Sequence, residues 1–218
     1  MTLADHIIFL DGEAIILDKP AGLAVDAPRD RSPSVEAQLD DLQMGFRRLP
    51  VAVHRIDRDT SGCLLLARNP GAVKRFAQAF EAGSVEKRYL AVLEGVPAEQ
   101  AGVIDLPLGK VSTREAGWRM RGDRSGKKAV THWRVLNAHE GRALVEFRPE
   151  TGRTHQLRVH AAEALGLPIV GDRVYGHAGD FMLLHAASLR LDRAGKPPVE
   201  ATAKLPPHFI EAGFDGEP

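Results

Sequence analysis

The chain has 218 residues, 44% of them hydrophobic, which is enough to bury a core as one large domain or two small ones. Its 29 Lys and Arg residues balance 29 Asp and Glu residues, so it lacks the net positive charge common among RNA-binding domains. One cysteine, Cys63, excludes an internal disulfide and a thiolate metal cluster. No apolar run approaches the roughly 18 residues of a membrane helix, and we expect a cytoplasmic protein that does not bind membranes.

The first part of the chain predicts a hairpin, a loop and a short helix. Two apolar runs, residues 7–10 and 14–17, are separated by an Asp-Gly pair, which is typical of a β-hairpin. Residues 26–34 are polar and contain prolines, so they predict a loop. Ser34 is placed to cap a short helix that follows this loop.

The middle of the chain predicts two strands around an amphipathic helix. The apolar run 63–67 has the length of a buried strand. Pro70 and Gly71 precede a helix that Gly83 ends. Residues 87–95 alternate and predict a strand buried on at least one side. The apolar face of the predicted helix contains Val73, Phe76, Ala77 and Phe80.

The last part predicts a strand at 143–147, a helix capped by Thr151, and a final strand or short helix at 183–189. Strands outnumber helices and do not alternate with them one for one. This pattern favours an α+β fold with a mixed, mainly antiparallel sheet flanked by helices and loops. No repeat or linker interrupts the chain, and we expect a single catalytic domain over residues 1–218.

Residues 54–62, His-Arg-Ile-Asp-Arg-Asp-Thr-Ser-Gly, concentrate charge in a segment that ends as a turn. By composition alone, such a segment is usually a solvated loop whose charges pair with each other. It resembles, however, the H-R-[LI]-D-x-x-T-S-G signature of the RluA-type pseudouridine synthases. In that resemblance Ile56 occupies the apolar position and Asp57 the position of the catalytic aspartate.

A second segment, residues 87–91, resembles the K-x-Y-x-A pattern of the same family. A tyrosine in a strand is ordinarily a packing residue. The resemblance implies instead that Tyr89 stacks on the target base beside the aspartate, because an aromatic ring gives a base a flat surface.

The third and longest match is residues 151–160, Thr-Gly-Arg-Thr-His-Gln-Leu-Arg-Val-His. The resemblance places Arg158 as the partner of the catalytic aspartate, where a permanently charged guanidinium keeps a carboxylate ionised. A metal site is the alternative, since His155 and His160 lie close in sequence. Five residues apart is not the zinc-binding i, i+4 spacing, and no H-E-x-x-H glutamate is present, so we expect no metal.

Shorter matches extend the resemblance over residues 13–190. Residues 19–23 resemble the N-K-P-x-G-L segment, although Asp18 replaces its usual asparagine, and residues 183–186 match L-L-H-A. The resemblance implies a pseudouridine synthase fold. Only 18 residues precede the Lys19-Pro20 pair, so we expect a compact member that lacks an S4-type RNA-binding domain.

The resemblance implies isomerisation of uridine in ribosomal RNA or tRNA by a monomer that needs no cofactor. The target base must leave the helical stack, and Arg55 is expected to fill the gap or bind the flipped nucleotide's phosphate. The residues leave open whether Asp57 acts as nucleophile or as base. They also leave two other functions open: a non-catalytic RNA-binding or chaperone protein of the same fold, and a glycosidic hydrolase using Asp57 and Asp59.

The segment from Lys110 to Arg134 is rich in positive charge. It interleaves Trp118 and Trp133 with eight basic residues and two acids. This predicts a mobile arm or hairpin that closes over RNA and contacts phosphates through Arg119, Arg121, Arg124 and Lys127. The alternative is an ordinary solvated hairpin whose tryptophans pack on the body. The eight basic residues are Lys110, Arg114, Arg119, Arg121, Arg124, Lys127, Lys128 and Arg134.

Overall fold

A computed structural model describes residues 2–113 and 117–215, so Arg114 of the basic segment lies outside the described residues. The chain divides into two compact units. Unit 1 comprises the residues up to Lys87 together with Ala186–Lys204, and unit 2 comprises Arg88–His185 with the residues from Leu205 onward. The expectation of a single catalytic domain over residues 1–218 remains a prediction.

Strands dominate both units, and the predicted α+β class with a mixed, mainly antiparallel sheet is confirmed. The described part of the chain contains three α-helices, together with 3₁₀ helices at Leu3–His6 and Glu36–Leu42 and a π-helical turn at His160–Ala164. The α-helices are α1 (Pro70–Glu81), α2 (Gln156–Val159) and α3 (Pro207–Glu211). The strands are β1 (Ile7–Leu10), β2 (Ala14–Lys19), β3 (Val51–Ala52), β4 (Ser61–Ala67), β5 (Glu86–Leu93), β6 (Ala101–Asp105), β7 (Leu108–Thr113), β8 (Gly117–Gly122), β9 (Val130–His139), β10 (Arg142–Pro149), β11 (Leu184–Arg193) and β12 (Lys196–Thr202).

In unit 1 the strand order is β1-β2-β4-β11, with β3 paired to β4 and β12 to β11. The predicted hairpin is present, because β1 and β2 pair antiparallel across Asp11-Gly12. All seven residues of β4 are buried. This confirms the predicted buried strand at 63–67 and extends it by Ser61 and Gly62. Strand β4 therefore gives the charged loop before it a rigid support.

Helix α1 confirms the predicted element and corrects its buried face. Asn69 caps it by accepting the Ala72 amide at 2.9 Å. Ala72 and Phe76 are buried, whereas Ala77, predicted to face the core, is exposed. The buried face of α1 therefore runs through Ala72 and Phe76, which are four residues apart and lie on the same side of the helix. Ala77 lies outside this face, and exposing its small side chain to solvent costs little free energy.

In unit 2 the strand order is β5-β10-β9-β6, and β7 and β8 form a separate two-stranded hairpin. The core packs Phe147 of β10 and Trp133 of β9 against α2 and the π-helical turn. Trp133 is only 7% exposed, so it is a core residue and not part of an RNA-binding arm. Its place in a ten-residue strand explains this, since alternate residues of β9 face the core.

The predicted helix cap at Thr151 is wrong. Helix α2 begins only at Gln156, after His155, whose backbone has φ 53°. The Thr151 hydroxyl instead donates to Gln156 Oε1 at 2.8 Å and accepts the Val130 amide at 3.0 Å. Thr151 therefore fastens the segment before α2 to β9.

Candidate active site

Asp57 lies in unit 1, in the loop between β3 and β4. The loop turns back through a hydrogen bond from the Thr60 amide to the Asp57 carbonyl, 3.1 Å. Arg58 and Gly22 exchange two hydrogen bonds: the Gly22 amide donates to the Arg58 carbonyl at 2.9 Å, and Arg58 Nε donates to the Gly22 carbonyl at 3.1 Å. The Asp57 loop is thus tied to the Lys-Pro-Ala-Gly-Leu segment that the sequence marks.

Lys19 holds the Asp57 loop through a hydrogen bond to the backbone of Arg58. Its side chain is fully buried. Burial lowers the pKa of the Lys19 ammonium to about 7, against the opposing charges of Asp59 and Asp57. Nζ donates to three backbone carbonyls, those of Pro20 (2.8 Å), Leu23 (2.7 Å) and Arg58 (3.0 Å). The charge of Lys19 therefore depends on pH in the neutral range.

His54 holds the start of the same loop. Its Nε2 accepts the Leu65 amide of β4 at 2.9 Å, so the ring proton lies on Nδ1. The ring stacks on Phe80 of α1 with centroids 4.4 Å apart. Burial lowers the pKa of His54 to about 3, with the nearby Lys87 charge adding to the effect. His54 is consequently a neutral anchor, a role that its neighbours in the sequence do not reveal.

Arg55 is an exposed residue of the loop. Its side chain is 67% exposed, and Nη1 lies 2.7 Å from Asp26 Oδ2. An exposed pair of this kind contributes little to stability. This position is compatible with the expected contact to a nucleotide, which remains a prediction.

Tyr89 and Arg158 belong to unit 2. Tyr89 lies on β5 opposite Phe147 of β10 and is half-buried against the unit 2 core. Arg158, on α2, is buried and holds Asp172 through two hydrogen bonds, Nε to Oδ2 and Nη2 to Oδ1, each 2.7 Å. The pairing of Arg158 with Asp57 that the resemblance implies remains a prediction.

Asp172 is the partner that sequence reasoning missed. Its carboxylate also accepts the amides of Val174 and Tyr175 at 2.9 and 3.1 Å. Burial by itself would raise the pKa of Asp172, but the hydrogen bonds and charge of Arg158, with the two amides, lower it below its usual range. The available signal was the Gly-Asp pair at 171–172, which lies beyond the third match but within the resemblance over residues 13–190.

The four predicted phosphate contacts are exposed. Arg119 and Arg121 lie on β8, and Arg124 lies in the turn that follows. Lys127 pairs through its backbone with Leu108 at the start of β7, so its position is fixed while its side chain faces solvent. The structure thus has a basic hairpin, with one exposed tryptophan, Trp118, instead of two.

The histidines of the third motif have neighbours other than a metal. His155 Nδ1 is hydrogen-bonded to the Tyr175 hydroxyl at 2.9 Å, and the buried His160 contacts Thr131 Oγ1 and the Leu106 carbonyl. Within residues 2–113 and 117–215, no three His, Cys, Asp or Glu side chains are grouped to hold a metal ion. In the same part of the chain no helix is long and apolar enough to span a bilayer.

Comparison with known proteins assigns the family. The profile described as RNA pseudouridylate synthase matches residues 13–163. The chain belongs to the RNA pseudouridine synthase family. It is 56% identical over 216 residues to an uncharacterized RNA pseudouridine synthase of Zymomonas mobilis, covering 97% of this chain and 99% of that protein. It is 34% identical over 215 residues to ribosomal large subunit pseudouridine synthase C of Rickettsia typhi, covering 95% and 70%.

Solved structures agree with this RNA pseudouridine synthase assignment. Human RNA pseudouridylate synthase domain containing 4 superposes with a TM-score of 0.80 at 26% identity, covering 96% of this chain and 92% of that one. Human RNA pseudouridylate synthase domain containing 1 gives a TM-score of 0.77 at 30% identity, covering 91% and 82%. The expected RluA-type family and isomerase class are both confirmed.

Proposed function

We propose that this pseudouridine synthase isomerises specific uridines in ribosomal RNA or tRNA and that Asp57 is its catalytic carboxylate. The observation that carries the proposal is the support of the Asp57 loop. Lys19 holds the Arg58 carbonyl, one residue after Asp57, and His54 holds the start of the loop. Catalysis requires a reacting group to be held in a fixed position, and this support supplies it.

The reaction needs no external reactant. The N1–C1′ bond of uridine breaks, a C5–C1′ bond forms, the C5 proton leaves and N1 gains a proton. Oxidation state is unchanged, so the proposal includes no cofactor. Asp57 acts either by attacking as a nucleophile or as the base that begins glycosidic cleavage, and the geometry is compatible with both.

The remaining roles follow the family resemblance. Tyr89 supplies a stacking surface for the flipped base, and Arg158 is the partner of Asp57. Arg55, at the exposed edge of the loop, contacts the flipped nucleotide or fills its place. The hairpin residues Arg119, Arg121, Arg124 and Lys127 contact phosphates.

The name of the Rickettsia relative makes large-subunit ribosomal RNA the first substrate to test. Transcripts of large-subunit rRNA, small-subunit rRNA and tRNA, each labelled with tritium at uridine C5, release tritium when C5 bonds to the ribose. We expect release from at least one transcript, and pseudouridine mapping in cells with and without the protein should identify the same site. No release from any of the three classes would overturn the proposal.

A further inference from the structure

The β7–β8 hairpin has two chemically different faces. Antiparallel register places Lys110 opposite Met120 and Ser112 opposite Trp118. Opposed residues and residues two apart share a face, so Lys110, Trp118 and Met120 lie together. Met120 packs beside Leu108 in a buried cluster of unit 2, which identifies this as the inner face. Arg119 is on the outer face.

The hairpin is fastened at its base to the body of unit 2. The Met120 amide donates to the Tyr175 hydroxyl at 3.0 Å, and the Gly122 amide donates to Glu163 Oε2 at 2.7 Å. Trp118 meets His155 edge to face, with centroids 5.3 Å apart. These contacts hold the inner face at a defined distance from the start of α2.

A cleft of about 500 Å³ lies between this inner face and the turn at residues 152–154. Three cations line it: Lys110, Lys127 and Arg153. The acid in its lining is Asp123, whose Oδ1 already accepts the Ser125 amide and hydroxyl at 2.9 and 2.7 Å. The excess of positive charge favours an anionic ligand.

The turn at 152–154 gives this ligand open access. A Cβ added at Gly152 would meet nothing within 4 Å. Next in the chain, Arg153 donates from Nε to the Lys128 carbonyl at 2.9 Å, which fixes its guanidinium beside the cleft. His155 then adopts a left-handed backbone with φ 53°, a strained conformation of the kind that clusters at functional sites.

The aromatic component is Trp118. It is 42% exposed, although a tryptophan usually buries most of its surface, and Lys110 Nζ lies 5.4 Å from its ring centroid. Exposed aromatic rings next to cations are the combination by which proteins bind single-stranded nucleic acid, because bases stack on the ring while cations bind phosphates. Duplex bases are already stacked and cannot use such a ring.

We propose that this cleft binds a single-stranded segment of the substrate RNA, with a phosphate among Lys110, Lys127 and Arg153 and a base on Trp118. The inference rests on the proposed RNA substrate and adds a subsite distant in sequence from Asp57.

Fluorescence anisotropy with a labelled twelve-nucleotide oligouridylate, at several salt concentrations, tests the subsite. We expect the full chain carrying Lys110→Ala, Lys127→Ala and Arg153→Ala to bind at least tenfold more weakly. Its log–log salt dependence should flatten by about 0.7 for each lost phosphate contact. We expect Trp118→Ala to weaken binding roughly 5- to 150-fold and Trp118→Phe to retain most of it.

The matched control removes three exposed charges elsewhere, through Lys74→Ala, Arg142→Ala and Lys204→Ala. Equal affinity and salt dependence in the control and the cleft triple variant would overturn the proposal, as would tighter binding of a duplex of the same length. Thermal melts establish folding. The Lys110→Ala, Lys127→Ala pair, which spares the Arg153 hydrogen bond, serves if the triple variant is unstable.

The tritium assay separates this proposal from the proposed function. Tritium release by wild-type protein together with unchanged binding by the cleft variants would overturn the subsite and the Lys127 contact, and would leave the isomerase proposal and the role of Asp57 standing. Absence of release by wild-type protein would overturn the proposed function, whereas the binding comparison would still decide the subsite.

Discussion

Two of the buried cations, Lys19 in unit 1 and Arg158 in unit 2, are stabilised in opposite ways. Lys19 is fully buried and donates to three neutral carbonyls, whereas Arg158 is 6% exposed and holds the carboxylate of Asp172 through two hydrogen bonds. Burial lowers the pKa of Lys19 to about 7. Arg158, in contrast, lowers the pKa of its partner, and a guanidinium stays charged at all accessible pH values.

The charge of Lys19 thus changes with pH in the neutral range, whereas the charge of Arg158 is permanent. Carbonyl dipoles satisfy hydrogen bonds but compensate the charge of an ammonium only in part, so the support beneath the Asp57 loop responds to neutral pH. The carboxylate of Asp172 fully compensates a formal charge, so the region around α2 responds only to acid. Substitutions in each unit should therefore differ in their effect on activity, on stability and on its pH dependence.

The greatest loss of activity is expected from Asp57→Asn. The amide keeps the volume of the side chain and removes its nucleophilic or basic charge, so tritium release should fall to background while RNA affinity and folding persist. The substitution also removes one of the two carboxylates that favour charged Lys19 and should lower the Lys19 pKa further. Turnover near wild type in contaminant-free Asp57→Asn protein would rule out the catalytic role.

Asp172→Asn should produce the largest loss of stability. Removing the carboxylate from a buried pair leaves the Arg158 charge uncompensated by it, which typically costs about 3–5 kcal/mol in the free energy of unfolding. Urea denaturation at pH 7 measures this.

Asp192→Asn is the matched control for Asp172→Asn, because Asp192 pairs with Arg190 at 2.8 Å while 74% exposed. We expect it to cost less than about 1 kcal/mol. The Asp172 contribution should persist at alkaline pH and disappear as pH falls through its lowered pKa. Equal costs for the two variants would mean that the buried pair carries no special stability.

Lys19→Met should have a smaller effect that depends on pH. The folded pKa of about 7 lies below the ordinary value of 10.5, so between these values the unfolded chain binds more protons than the folded chain. The unfolding free energy of wild type minus that of Lys19→Met should therefore rise with pH above 7, by at most about 1.4 kcal/mol per pH unit.

Urea denaturation of wild type and Lys19→Met from pH 6 to pH 9 measures this slope. Lys74→Met is the control, since Lys74 is exposed on α1 and should show a flat difference. A flat difference for Lys19→Met as well would mean that the carbonyls keep Lys19 protonated throughout this range.

Metal removal should have no effect. We expect this because the sequence of the Asp57 loop, residues 54–62, lacks the ligand spacing of a zinc site. Tritium release should survive 1,10-phenanthroline, which spares the magnesium needed to fold the RNA. Activity lost with the chelator and restored specifically by zinc would reverse this expectation.

Sequence pattern alone determined much of the fold, and it marked the Asp57 loop as the candidate site. The apolar run of β4, the alternation of β5 and the spacing of α1 are local signals, because one strand or helix turn needs only neighbouring residues. The signature at residues 54–62 is equally local, and it marked Asp57 as the candidate catalytic carboxylate, which stays a prediction. For the basic segment the sequence predicted a mobile arm or a hairpin, and β7 and β8 form a hairpin there. No pattern predicted β3, β6, β9, β12 or α3.

Only the tertiary structure showed what surrounds the charged residues. The Lys19 contact to Arg58 joins residues 39 apart, and the Arg158 contact to Asp172 joins residues 14 apart. Trp133 entered the core because β9 has a buried face, and the two faces of the β7–β8 hairpin followed from strand register. Burial and pairing depend on which distant segments of the chain come into contact, and a short stretch of sequence does not determine those contacts.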